Sequence, residues 1–292
     1  MTLVGAGEVV EQARRDGRGA AAFNVIQIEH AQAVVAGAER ANAPVVLQIS
    51  ENAARYHGAL RPIGAAVVEV AAAARVPVAV HLDHATRADL VETAIELGFG
   101  SVMYDASRLD HRRNVAATTE VAARCHARGV WVEAELGEIG GKDGVHAPTA
   151  RTDPDEAAAY VAATGVDALA VAVGTSHAML TRTATLDLDL IARLRAAVPV
   201  PLVLHGSSGV PDEGLADAVR AGLTKINIAT RLNQVYTRAI REHLSADPAV
   251  VDPRRYVAPA RDAVAREVTH LLGVLRASGT MHAAERNPAE RS

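Results

Sequence analysis

Along most of its length the chain repeats one pattern: a short apolar run, a few polar or glycine positions, then a stretch with helical spacing. Eight such runs occur, at Ala20 to Ile26, Pro44 to Ile49, Pro77 to Leu82, Gly100 to Tyr104, Val130 to Leu136, Ala168 to Val173, Pro201 to Leu204 and Lys225 to Ile228. Most are continuously apolar rather than alternating, as parallel strands covered on both faces are. Helix-start signals lie between them. Thr86, with Asp89 three residues on, resembles a capping box. Asp153-Pro154-Asp155-Glu156 reads as an N-cap, a first-turn proline and two acids favoured by the helix dipole, and Pro211-Asp212-Glu213 opens another helix. Gly98, Gly129, Gly165 and Gly222 fall where a helix hands over to a strand, the place of a C-cap glycine.

Strict alternation without a composition break predicts an α/β fold, a single closed (β/α)8 TIM barrel over residues 1–277. An open doubly wound sheet would carry a Gly-rich nucleotide fingerprint after its first strand, and Phe23-Asn24-Val25 is followed by none. Gly5 to Asp16 predicts an extra helix before the barrel, and Pro259 to Leu275 a final amphipathic helix. The small, polar and charged tail, residues 278–292, is expected to be loosely ordered.

Composition narrows the picture. The chain is 49% hydrophobic but 3% aromatic, so its core must be built from small and branched aliphatics. Its 30 basic and 34 acidic residues are interspersed, which leaves no basic stripe for a nucleic acid backbone. Cys125 is the single cysteine, so no internal disulfide forms and a cytoplasmic location is expected. No apolar run reaches the roughly 18 residues of a membrane span, and the first residues lack a secretory pattern, so no membrane partner is expected.

Unusual polar residues gather at the C-terminal ends of the predicted strands, the face where barrel enzymes keep their sites. These are His81-Leu82-Asp83-His84, Gly174-Thr175-Ser176-His177 and His205-Gly206-Ser207-Ser208-Gly209. Three imidazoles, from His84, His177 and His205, with one position left open, suit a catalytic zinc. His30, His57, His111, His126, His146, His243, His270 and His282 read as ordinary surface or core residues. His81 reads as structural, since strand alternation would aim it away from His84. Asp83, beside a ligand, suits a proton carrier; a cap on the following helix is the plainer alternative. Glu133 and Glu135 share one face of the fifth strand, and Glu135, nearer the mouth, could orient a ligand or contact the metal. Gly206 to Gly209 and Asn227 to Thr230 end strands seven and eight, where barrels hold phosphate, though an ordinary tight turn reads the same.

The motifs HLDH at 81–84, EAELG at 133–137, GTSH at 174–177, LHGSSG at 204–209, KINIAT at 225–230 and the late DPRRYVAPAR at 252–261 together resemble the class II aldolases that act on fructose or tagatose bisphosphate. The resemblance covers about residues 3–275. It implies reversible aldol cleavage of a ketose 1,6-bisphosphate, fructose 1,6-bisphosphate first, to dihydroxyacetone phosphate and glyceraldehyde 3-phosphate. It implies zinc on His84, His177 and His205, a nearby monovalent cation (Na+ or K+), and proton exchange by Asp83. Asn24, Gly174, Gly206, Ser207, Ser208, Asn227, Ala229 and Thr230 match substrate-contacting positions. Homodimers or larger assemblies are usual in that family.

This chain departs from the family in three places. The loop after the fifth strand reads Gly140-Gly141-Lys142-Asp143-Gly144 where relatives carry an acidic cluster, leaving Asp143 as the candidate second base. Ser207 replaces a common glycine, and Ala229 stands where fructose-bisphosphate enzymes often have Asp or Asn, which is similar to the tagatose branch. A metal-dependent barrel enzyme of another class, or a non-catalytic partner subunit, would be the other readings of the same pattern.

Overall fold

The computed structural model describes residues 2–136, 151–175 and 181–277. In chain order its elements are α1 (Ala6–Arg15), β1 (Ala20–Asn24), α2 (Ile28–Ala41), β2 (Val45–Ser50), α3 (Glu51–Tyr56), α4 (Leu60–Ala72), β3 (Val78–Ala85), α5 (Ala88–Glu96), β4 (Ser101–Tyr104) and α6 (His111–His126). There follow β5 (Trp131–Glu135), α7 (Pro154–Thr164), β6 (Ala168–Ala170), α8 (Leu188–Ala197), β7 (Leu202–Leu204), α9 (Asp212–Ala221), β8 (Leu223–Ile228), α10 (Thr230–Ala246) and α11 (Pro253–Ala277). Eight parallel strands pair in sequence order, and β8 pairs back onto β1, closing the expected barrel. Each apolar run in the sequence contains or overlaps one strand.

Alternation along the strands sorts the interior into two environments. Phe23, Leu47, Ile49, Val80, Leu82 and Val102 face the surrounding helices in one large core. Ala20, Ala22, Val46 and Ala79 face the barrel axis and pack against Ala6, Val9 and Val10, so the N-terminal helix plugs the bottom of the barrel. Small side chains suffice there because α1 supplies the remaining volume. Higher along the axis the inward positions turn polar: Gln48, His81, Asp83, Ser101, Glu133, His205 and Lys225 are each no more than 3% exposed.

Local signals held in most places. Asp153 caps α7, accepting from the amides of Asp155 and Glu156 at 2.9 and 3.0 Å. Gly98, Gly129, Gly165 and Gly222 all have positive φ. Two expectations need correction. Thr86 does not cap α5: its amide and hydroxyl both bond the Glu51 carboxylate, at 2.7 to 3.1 Å, and the helix starts from Arg87 without a side-chain cap. A tertiary partner with full charge outcompeted the local one. The last helix is also longer than expected, beginning at Pro253 and passing through Pro259. It lies close against α2, since a Cβ on Gly37 would sit 2.6 Å from the Ala265 carbonyl oxygen.

Candidate active site at the C-terminal mouth

The mouth is assembled from the ends of β1, β2, β3, β7 and β8. Asn24, Gln48, Asp83, His84, Gly206, Ser207, Ser208, Asn227, Ala229 and Thr230 line one pocket. Asp83 is its anchor. Asn24 Nδ2 donates to Asp83 Oδ2 at 2.9 Å, while Gln48 Nε2 donates to Asn24 Oδ1 at 2.6 Å and to Asp83 Oδ2 at 3.4 Å. Asn227 Nδ2 approaches Asp83 Oδ1 at 3.5 Å. The carboxylate is therefore held from three strands by amides.

His84 reaches this pocket by breaking the pleat. It has φ +51, and the β3–β4 register shifts between Leu82 and Ala85. Its ring lies 4.7 Å from that of His205, edge to face, and its Nδ1 is 3.1 Å from Asp105 Oδ2. Strict alternation would have turned it outward. This corrects the expectation that His81 and His84 point to opposite faces: His81 also lies in the lumen, its Nδ1 2.8 Å from Ser101 Oγ. His205, at the end of β7, is wholly buried, with Nε2 2.9 Å from Glu133 Oε1.

Ligand atoms of Asp83, His84 and His205 lie within 4.8 Å of one another, as do those of His84, Asp105 and Glu135. Such a nitrogen and oxygen donor set suits a borderline divalent metal. Gly174 is not part of the pocket lining. It holds φ +113 at the exit of β6, where a Cβ would meet the Thr185 carbonyl oxygen at 2.7 Å, and its neighbour Thr175 donates to the His205 carbonyl at 2.7 Å. His177 and Asp143 lie outside the described residues.

The family description "Fructose-bisphosphate aldolase class-II" matches residues 4–280. The chain belongs to the class II fructose-bisphosphate aldolase family. Among its relatives, the fructose-bisphosphate aldolase of Geobacillus stearothermophilus is 39% identical, covering 96% of this chain and 98% of that one. That of Thermus caldophilus is 40% identical, covering 88% and 92%. Among solved structures, the YdjI aldolase of Escherichia coli superposes with a TM-score of 0.83 at 32% identity, covering 94% of this chain and 97% of its own. The protein is thus an aldolase, a carbon–carbon lyase, of a metal-dependent family.

In the aldolase the charges around the mouth are strongly coupled. Burial works against a charged His84, but the Asp83 charge and the hydrogen bond to Asp105 outweigh it and raise the imidazole to about 10. Burial likewise opposes ionisation of Asp105, and the bond and charge of His84, with Ser107, override it and hold the acid well below the usual carboxylate range. Asp105 Oδ1 takes the Ser107 hydroxyl at 2.6 Å and its amide at 3.1 Å. His81 is driven the other way, well below its ordinary value, by burial and by the Lys225 ammonium.

Several site residues escaped the sequence reading. Asp105, Gln48 and Lys225 were not singled out, and Glu133 was noticed without a role. Gln48 and Lys225 did carry a signal, each being a lone long polar residue inside a strand run. Asp105 follows directly after the fourth run, the position at which the other strands place their site residues.

Proposed function

We propose that this aldolase cleaves fructose 1,6-bisphosphate reversibly to dihydroxyacetone phosphate and glyceraldehyde 3-phosphate, with zinc as its metal. The reading rests on one juxtaposition: Asp83 and His84 line the same pocket as Gly206 to Ser208 and Ala229 to Thr230. A metal centre and a phosphate cradle at one mouth are what a ketose phosphate needs.

His84 and His205 would hold the zinc together with His177, which the family resemblance assigns, while Glu135 lies near enough to His84 to serve as a further ligand. When bound, the zinc supplies Lewis-acid polarisation of the ketone. Asp83 would take the C4 hydroxyl proton as the C3–C4 bond breaks and return one to the aldehyde oxygen in synthesis. Asn24 and Gln48 fix Asp83 for that transfer. The resemblance assigns the enediolate proton to Asp143.

The phosphate would rest on Gly206, Ser207, Ser208, Ala229 and Thr230, at the N-terminus of α10. Gly206 holds φ +67, which opens the turn. Ser207 is accommodated in place of glycine because its hydroxyl turns away and donates to the Asn227 carbonyl at 2.5 Å. Asn227 would contact the substrate beside Asp83, and the family resemblance assigns a further substrate contact to Gly174, with a sodium or potassium ion nearby. Ala229 favours a second reading, tagatose 1,6-bisphosphate, because it removes the polar side chain common at that position in fructose-bisphosphate enzymes. The single cysteine fits a cytoplasmic enzyme, and the family resemblance a homodimer or larger assembly.

A coupled cleavage assay on both bisphosphates, with and without chelation, tests this. Cleavage should vanish on metal removal and return with zinc or cobalt, and fructose 1,6-bisphosphate should have the higher kcat/KM. Full activity after verified metal removal would sink the mechanism, and a preference for the tagatose sugar would establish the second reading.

A further inference from the structure

Lys225 is a charged side chain sealed in the centre of the barrel, with no exposure at all. A buried lysine in an aldolase invites comparison with an amine nucleophile, but its surroundings oppose that use. Nζ lies 2.8 Å from Glu133 Oε2 and donates to Asn227 Oδ1 at 2.7 Å, with Gln48 Oε1 a further 3.5 Å contact. Nζ is thus engaged by a carboxylate and an amide oxygen, and Lys225 is not among the residues that line the pocket. Glu133 is equally buried, and it divides its two oxygens. Oε2 faces Lys225, while Oε1 lies 2.9 Å from His205 Nε2.

We infer that Glu133 is a positioning residue for the metal ligand His205, and that Lys225 fixes Glu133 in that role. This inference rests on His205 being a ligand, as proposed above. A carboxylate bonded to Nε2 selects the tautomer that carries its proton there and presents Nδ1 to the metal. The ring cannot then swing, because the carboxylate is itself immobilised by the ammonium on its other oxygen. His81, whose Nε2 is 3.9 Å from Glu133 Oε2, is too far to compete for the same oxygen and is bonded to Ser101 through its other nitrogen. The line His205–Glu133–Lys225–Asn227 also runs to Asp83 through the 3.5 Å amide contact, so the same device joins the metal side of the pocket to its proton carrier.

The test measures metal binding on the full chain. Zinc affinity is read by competition with a chromophoric chelator, and geometry by the visible absorption of the cobalt-loaded protein. Glu133→Gln should weaken zinc roughly 10- to 100-fold and shift the cobalt bands, and Lys225→Met should do so to a lesser degree. The double variant Glu133→Gln/Lys225→Met carries no buried charge from this pair and guards against misfolding. It should regain thermal stability relative to either single variant while its zinc affinity stays as low as that of Glu133→Gln. Wild-type zinc affinity and cobalt bands in Glu133→Gln, or recovery of both in the double variant, would show an ordinary structural ion pair and overturn the inference. Unchanged affinity in Lys225→Met alone would remove Lys225 from it. If the wild-type protein itself binds no zinc, the metal reading fails instead, which keeps the two failures apart. Borohydride reduction with dihydroxyacetone phosphate should leave Lys225 unmodified by mass spectrometry, and an adduct there would overturn its assignment as a counter-ion.

Discussion

Asn24, the last residue of β1, donates its side-chain amide to Asp83 at 2.9 Å, joining two strands that are not neighbours in the barrel. The bond crosses the lumen over β2, whose Gln48 braces the same pair. It fixes the orientation of a carboxylate that would otherwise rotate, and orientation is where much of general acid–base efficiency lies.

That geometry predicts coupling. Asp83→Ala should lower kcat by roughly 10²-fold or more while metal content stays near that of the wild type. Asn24→Ala should lower it by about tenfold, and the double variant should be hardly worse than Asp83→Ala alone, because Asn24 acts through a group already gone. Steady-state kinetics on the four proteins decide it. A double variant slowed by the full product of the two single effects would mean that the residues work independently.

The C-terminal end of β5 depends on a buried clamp outside the barrel. Asn114 Nδ2 donates to the carbonyls of Glu135 and Leu136 at 3.2 and 3.0 Å, and Tyr160 OH donates to Asn114 Oδ1 at 2.7 Å. Among the described residues, Tyr160→Phe leaves that amide oxygen with the Thr118 hydroxyl alone, 3.0 Å away. The fold should lose about 1–3 kcal/mol in denaturant titration. A loss near zero would show that Asn114 holds the end of β5 unaided.

His30 predicts how stability responds to acid. Its ring is buried against Tyr236, centroids 4.7 Å apart, and neither ring nitrogen hydrogen-bonds a described residue. Burial, only partly offset by Glu29, lowers its pKa from 6.5 to about 4. Between those values the unfolded chain takes up a proton that the folded chain refuses. Stability should therefore fall as pH drops from about 6.5 to about 4, by about 3 kcal/mol in all from this group, and be unaffected by it above pH 7. His30→Phe should flatten that part of the profile in urea titrations at several pH values. An unaltered slope would assign the acid sensitivity to other groups.

The sequence by itself determined the barrel. Eight apolar runs, several of them followed by helix-start or glycine-stop signals, needed only local propensity and periodicity to be read, and those are properties of neighbouring residues. The same register placed Asp83, His84 and His205 at strand ends, so much of the site was legible too. Tertiary structure decided what local rules cannot reach. His84 faces the pocket because β3 breaks its pleat there, and Thr86 serves Glu51 rather than its own helix. Gln48, Asp105, Glu133 and Lys225 gain their roles from partners brought to them from other strands or across the lumen. A buried charge is stable only beside its partner, and which side chain becomes that partner is settled when the sheet closes.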